Sequence, residues 1–369
     1  MSPEVQARLQ APRHILLIKS HSMGVGDLLR SSAAWAALKA RWPHVQLHLC
    51  MLSNHAGYVV QELIGSHYLL ASAHFVTVKE GRPGSAQQRR LPMDAIFWQM
   101  QSALQGQPLD LVIDCETGGI RTALLARRMA RSKSALALGI AQFPLRRFFY
   151  DLSTPSSRAY QRLHGLPHPM DYTERDFVAL AALGITRAGT PITLLLSAKG
   201  LQWQARHALK PVAGRRLVVL NIGCGTEDAL PKRPALAALV QALAALFVQA
   251  PFDLHLSGAG FEAEVNAQFV QMFQAHLQTL GAVCTVQDWA GQLSIEESAA
   301  LLAQADVVVS SDSGPYHMAV ALGVPTLCWF NFATPPSYHH QAGVCCLVQP
   351  DAAQFTRAAL GLLSSGSDE

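Results

Sequence analysis

The sequence predicts an α/β protein made of two doubly wound halves, and three observations carry that expectation. Strand, glycine-containing turn and helix recur in both halves of the 369-residue chain. Half of the residues are hydrophobic and only 15% are charged, a balance suited to parallel sheets covered on both faces. The pattern also restarts near residue 216, which gives two domains, 1–190 and 191–369.

The first half opens with the apolar run 14–19, HILLIK, as a buried strand, and the glycine turn SHSMGVGD. Residues 28–41 carry apolar side chains at helical spacing, and 45–52 form the next strand. Residues 57–80 hold a short strand near 75–78, and the polar, basic segment 81–91 reads as a mobile loop. A helix over 94–105 leads to the strand DLVIDC at 110–115. The turn Glu116–Gly119, a basic helix through Arg121, Arg127, Arg128 and Arg131, and a short strand at 135–139 follow. Residues 141–170 show no periodicity, and a helix over 172–183 ends at Gly184. The domain boundary falls between about 185 and 215.

The second half restarts with the strand RLVVLN at 216–221 and the turn Gly223-Cys224-Gly225. A helix (234–249), a strand (253–257), the turn Gly258–Gly260 and a further helix come next. A strand at 283–288 precedes a helix capped by Ser294 with Glu297 three residues on. Residues 307–330, VVVSSDSGPYHMAVALGVPTLCWF, read as strand, tight turn, helix, glycine stop and strand. A final helix spans 355–363. Ligands of such sheets bind outside the carboxyl ends of the strands, where every one of these glycine turns falls, and two such halves place a cleft between them.

Seven scattered cysteines without a CxxC pair read as reduced core residues of a cytosolic protein, with Cys345 and Cys346 on a strand and no metal site. No apolar run has the length of a membrane span, and the polar N-terminus does not read as a signal peptide. The net charge of +4 hides an asymmetry. Residues 1–190 hold 21 Lys and Arg against 12 Asp and Glu, whereas residues 191–369 hold 8 against 13. A basic first half suits an anionic partner. The arginines are not interleaved with aromatics in a recognition pattern, so nucleic acid is not expected.

Gly24-Val25-Gly26-Asp27 lacks the third glycine of a dinucleotide fingerprint, because position 29 is Leu29. What remains is a turn presenting Asp27, either as a helix N-cap or as a general base toward a hydroxyl. Asn221–Arg233, NIGCGTEDALPKR, has the parts of a diphosphate cradle: backbone N–H groups, the Thr226 hydroxyl and the cation of Lys232. Lys232 reads equally as a solvated loop charge. In the turn before 314–322, Asp312 and Ser313 can cap the helix, its free N–H groups form an anion site, and His317 sits one turn in.

Taken together, these segments resemble glycosyltransferase family 9, best known for ADP-heptose:lipopolysaccharide heptosyltransferases. SHSMGVGDLLRSSAAWAALKARWP is similar to the family's opening signature and DLVIDCETGGIRTALLARR to its second landmark. VVLNIGCGTEDALPKR is similar to its donor-phosphate loop, and SSDSGPYHMAVALGVPTLCWF to its most specific motif. The resemblance runs in order over about residues 14 to 330.

That resemblance implies a GT-B fold, two Rossmann-like domains that bind acceptor in the first and nucleotide-sugar in the second. It implies an inverting transfer of heptose from ADP-heptose to an anionic glycan such as lipopolysaccharide inner core, with no cofactor and no metal. Asp27 matches the family's base and Lys232 its phosphate-binding lysine. Asp312, Ser313 and Gly314 match the turn that holds the diphosphate, with His317 beside it. Gly225 and Thr226 belong to the donor loop, and Glu262 is the expected ribose ligand. Gly26, Arg121, Arg127 and Arg128 face the acceptor. Closure of the domains would exclude water. A cytoplasmic enzyme acting on a lipid-linked acceptor would touch the inner membrane peripherally, with the basic stretch Arg82–Arg90 as the contact. Three departures bear on the donor: the loop reads CGTEDALPKR, Glu227 and Asp228 add negative charge beside it, and NFATPPSYHH follows the last motif without the usual glycine. A GT-B nucleotide-sugar epimerase or hydrolase, and a non-catalytic nucleotide-sugar-binding protein, are the alternatives.

Overall fold

The computed structural model describes all residues except 1–2, 22–23, 55–56, 58–59, 82–87, 169, 224–226, 333–337 and 366–369. The chain divides into two compact units, Met1–Ile192 and Thr193–Glu369. Each is built on one six-stranded, all-parallel sheet.

Unit 1 contains β1 (His14–His21), β2 (Gln46–Ser53), β3 (Ser72–Thr77), β4 (Leu111–Asp114), β5 (Leu136–Ile140) and β6 (Leu152–Thr154), in the order β3-β2-β1-β4-β5-β6. Unit 2 repeats that order with β7 (Arg216–Asn221), β8 (Phe252–Ser257), β9 (Val286–Asp288), β10 (Val307–Ser311), β11 (Thr326–Phe330) and β12 (Val344–Val348), as β9-β8-β7-β10-β11-β12. The direction of winding reverses between β1 and β4 and again between β7 and β10. Those two places are the switch points at which doubly wound sheets open to ligands.

The central strands are buried on both faces, which is why they read as unbroken apolar runs: Ile15 to Ile18 are at most 2% exposed. In unit 1, Leu16, Ile18 and Val112 pack against Phe97, Met100 and Met129 from the covering helices. In unit 2, Leu220, Leu254 and Val309 pack against Leu243, Phe247, Phe269 and Phe273. By length and composition alone the stretch Leu230–Gln249, which includes Lys232 and Arg233, is long and apolar enough to cross a membrane, a stretch the sequence reading did not single out. Its helix, Leu236–Gln249, instead turns Leu239, Val240, Leu243, Leu246 and Phe247 into this core.

Several elements differ from the sequence reading. The expected helix over 28–41 is two, Val25–Leu29 and Ser31–Arg41. The expected loop 81–91 is flanked by an antiparallel ribbon pairing Lys79–Glu80 with Arg89–Arg90. The aperiodic stretch 141–170 holds a 3-10 helix (Pro144–Phe149), the edge strand β6 and the helix Ser157–Leu163. Its code is tertiary: Arg146 is fully buried because it satisfies groups on other elements. The helix Ala198–Arg206, capped by the Ser197 hydroxyl, was also not anticipated. Cys345 and Cys346 do lie on a strand, β12, and the Ser294–Glu297 capping box forms.

Candidate active site

At the switch point of unit 1, the chain leaves β1 into the helix Val25–Leu29, whose N-cap is Gly24. Asp27 therefore lies inside the first turn, and the capping reading does not hold. Its Oδ1 takes two partners, Arg30 Nη1 at 2.9 Å and the Tyr172 hydroxyl at 2.7 Å. Among the described residues Oδ2 makes no hydrogen bond, and a Cβ added at Gly24 would stand 3.6 Å from it. Asp27 is 29% exposed, so that oxygen can be reached.

Behind Asp27 lies a buried ion network. Asp176 accepts from Lys19 Nζ at 2.7 Å and from Arg30 Nε at 2.9 Å, while Ser31 Oγ approaches both Lys19 Nζ and Asp176. Lys19 and Asp176 are 2% and 3% exposed. Arg30 is thus held from behind by Asp176 and from the side by the Tyr172 ring, 4.6 Å from its guanidinium carbon. Burial alone would raise the Asp27 carboxyl; Arg30, Lys19 and the Tyr172 hydroxyl outweigh it and hold it below the usual carboxylate range. The arrangement keeps one carboxylate ionised, fixes one of its oxygens and presents the other.

The second landmark frames the same switch point. Glu116 Oε1 accepts from the Ser20 N–H at 2.8 Å, tying the ends of β1 and β4. Burial pushes the Glu116 carboxyl up. Arg146 donates to Asp114 Oδ2 (2.7 Å) and to the carbonyls of Glu116 (2.6 Å) and Gly118 (3.0 Å), and the Tyr150 hydroxyl donates to the same Asp114 oxygen at 2.7 Å. A Cβ at Gly139 would lie 2.3 Å from the Tyr150 ring, so β5 needs glycine there to admit this buttress.

Of the expected acceptor residues, Gly26 is buried in the Asp27 helix. Arg121 starts the helix Arg121–Ser132 at this end of the sheet, its guanidinium on the Leu91 carbonyl at 2.8 Å. Arg127 and Arg128 are not brought here. They sit about 9–10 Å further down that helix, where Arg127 pairs with Asp151 at 2.6 Å and Arg128 pairs with Asp94 over the Phe97 ring. Asp151 also accepts from Ala137 N–H at the start of β5, which places Arg127 toward the opposite end of the sheet.

At the switch point of unit 2 the strand ends are tied by neutral groups. Asn221, at the end of β7, donates to Ser313 Oγ at 2.8 Å and to the Gly223 carbonyl at 3.0 Å. Ser311 Oγ donates to the same carbonyl at 2.5 Å. Ser313 is the N-cap of the helix Gly314–Ala321, but its hydroxyl points at Asn221 and no side chain caps the helix. The expected cap is therefore absent, and the N–H groups of Gly314 and Tyr316 belong to the first turn, where the helix itself offers no acceptor. Lys232 lies beside this turn, its Nζ 2.8 Å from Asp312 Oδ2 and 3.3 Å from the Asp312 carbonyl. Asp312 is 3% exposed and Lys232 is 34% exposed, so the cation is anchored on one side and open on the other. Asn331 steadies the segment by donating to the carbonyls of Pro231 and Arg233.

Glu262 is buried, accepting from the Ala259 N–H at 2.7 Å. Its carboxylate occupies the place of a side chain at Gly223, where an added Cβ would stand 1.4 Å from Oε1. That contact explains the first glycine of the loop and brings Glu262 to it. His317 is 6% exposed, and its Nδ1 lies 2.9 Å from His339 Nε2. It sits under the site rather than at its surface. Gly225 and Thr226 lie outside the described residues, and no group of three or more potential metal ligands occurs among the described residues.

Sequence reading missed Lys19, Arg30, Tyr172, Asp176 and Arg146 in unit 1 and Asn221 and Asn331 in unit 2. A Lys inside the apolar run HILLIK was the one local signal of the buried network, because a lysine there needs a partner.

Two units, each with an all-parallel sheet of this strand order, define the fold class as GT-B. Residues 242–359, about a third of the chain, match the model of glycosyltransferase family 9 (heptosyltransferase), the family that the sequence motifs resemble. Among solved structures the chain is similar to a glycosyl transferase family 9 protein from Veillonella parvula DSM 2008, at 16% identity and TM-score 0.67, covering 96% of this chain and 98% of that one. It is similar to E. coli heptosyltransferase WaaC with ADP-2-deoxy-2-fluoro heptose, at 19% identity and TM-score 0.63, covering 96% and 100%. The UDP-GlcNAc 2-epimerase of Methanocaldococcus jannaschii also matches, at 11% identity and TM-score 0.53, covering 95% and 92%. At these identities the likeness is one of fold. No curated protein matches the sequence.

Proposed function

We propose that the protein transfers heptose from ADP-heptose to an anionic glycan acceptor of the lipopolysaccharide inner-core kind, with inversion and without a metal or cofactor. The observation that carries this reading is the pairing of two specialised switch points in one chain, an ionised carboxylate with one open oxygen and an uncapped helix start beside a half-open lysine.

In this mechanism Asp27 Oδ2 takes the proton of the acceptor hydroxyl as that oxygen attacks the anomeric carbon. The bond to the nucleoside diphosphate breaks in the same step, so a single displacement inverts the centre. The charge that develops on the leaving diphosphate falls on Lys232 and on the N–H groups of Gly314 and Tyr316, which are already oriented. Glu262 faces the ribose, and Arg121 the anionic acceptor. Unit 1 is then the acceptor-binding domain, unit 2 the nucleotide-sugar domain, and the enzyme works in the cytoplasm. The donor identity rests on the family resemblance and on the heptosyltransferases similar in fold.

The test is product formation from ADP-heptose with and without a lipopolysaccharide-core acceptor. Heptosylated acceptor, formed only when acceptor is present, is the expected result. An altered nucleotide-sugar or free sugar formed equally without acceptor would replace transfer with epimerisation or hydrolysis.

A further inference from the structure

The 3-10 helix Pro144–Phe149 divides its side chains sharply. Arg146 is wholly buried, bonded to Asp114, Glu116, Gly118 and Tyr150. Leu145 and Phe148 are 50% and 78% exposed. In a 3-10 helix residues three apart eclipse, so these two share the outer face with exposed Arg147 between them in sequence. The adjoining first turn of the helix Arg121–Ser132 adds Leu124, 39% exposed. Arg146 locks the 3-10 helix to the turn after β4, so these apolar side chains stand on a rigid base at the same end of the sheet as Asp27.

The surrounding charge selects the partner. Outside the buried Arg146–Asp114 pair, segments 115–124 and 141–150 contain Arg121 and Arg147 against one acid, Glu116, which is turned inward onto Ser20. The unit as a whole carries the basic surplus of the chain. Protruding Leu and Phe beside Arg fit a lipid surface bearing negative charge, where apolar tips enter the headgroup boundary and the cation stays in it. We propose that Leu145, Arg147 and Phe148, with Leu124, form a membrane-contact surface for anionic phospholipid. This moves the contact from Arg82–Arg90, of which residues 82–87 lie outside the described residues.

The surface requires neither donor nor acceptor, so its test is separate from that of the transfer reaction. The full chain is sedimented with vesicles of phosphatidylcholine alone and of phosphatidylcholine with phosphatidylglycerol. Binding to the anionic vesicles, weakened about tenfold by Phe148→Ser or Leu145→Ser and reduced by salt in the wild type, is expected. Arg147→Glu should remove the preference for anionic lipid. These side chains are exposed, so an unchanged melting temperature distinguishes lost contact from misfolding. Absence of vesicle binding by the wild type, or wild-type binding by folded Phe148→Ser and Leu145→Ser, would overturn the proposal.

Discussion

The two units reverse their strand order at equivalent places, yet they gather opposite chemistry there. Unit 1 buries Lys19, Arg30 and Asp176 as an interlocked set and presents Asp27 as its tip. Unit 2 ties its strand ends with Asn221, Ser311 and Ser313 and offers one ion pair, Lys232 with Asp312. A site that must hold its own charge ready needs counter-charges behind it, and these have to be buried to be effective. A site that must receive a ligand's charge needs oriented donors left unused, which neutral side chains provide by positioning the backbone. One topology therefore serves two tasks, and each switch point breaks in its own way.

The largest effect should come from Asp176→Asn, which leaves the buried Lys19 without its carboxylate and Arg30 with Asp27 alone. Removing one partner of such a set costs about 3–5 kcal/mol, read as a fall in the urea midpoint. A loss below about 1 kcal/mol would mean that the network is solvated and does not set Arg30. In unit 2 the comparable disruption is steric. Gly223→Ala must displace the Glu262 carboxylate, and overpacking of this sort costs about 1–3 kcal/mol. Calorimetry should show weaker ADP binding as well, and adding Glu262→Ala should recover the stability but not the affinity. If the double variant is no more stable than Gly223→Ala, the Glu262 contact is not what requires glycine.

Tyr172→Phe probes the finer control of Asp27. The folded carboxyl lies below the usual range, so it is ionised at neutral pH and takes up its proton as pH falls through that lowered value. Removing the Tyr172 hydroxyl should move the acid limb of the kcat profile upward and leave the KM for donor nearly unchanged. An unmoved limb would assign the low value to Arg30 and Lys19 alone. The smallest effect belongs to the far end of the unit 1 sheet, where His48 stands between His14 (3.1 Å) and Ser72 (2.8 Å). Burial, then His14, His74 and Lys39, lower its pKa to about 4. A histidine depressed in the fold favours the neutral ring. Its contribution is present above the unfolded value of about 6.5 and is lost as pH falls from there toward 4. His48→Asn should flatten the decline in melting temperature across that window, and an unchanged slope would remove His48 as its source.

The strand runs were legible in the sequence because their cause is local: central parallel strands must be apolar throughout. The glycine turns could be located as well, although the need for Gly223 comes from Glu262, far along the chain. Asp27, Lys232 and the Asp312–Gly314 turn could be read from the motifs that contain them. The partners that give them their properties could not. Asp176 lies far along the chain from Lys19 and Tyr172 as far from Asp27, in a segment whose helical pattern gives no sign of a charge turned inward. Arg127 and Arg128 show the reverse error. Counted as charges they fit an anionic acceptor, but the helix carries them away from the switch point and into ion pairs.

The most direct test of the division of labour is calorimetric titration of ADP, with EDTA present, into wild type, Asp27→Asn and Lys232→Ala, with heptose transfer assayed on the same preparations. The account predicts that Lys232→Ala binds ADP at least about tenfold more weakly, and that Asp27→Asn binds it like the wild type but transfers no sugar. Undiminished ADP binding by Lys232→Ala, or near wild-type transfer by Asp27→Asn, would contradict it.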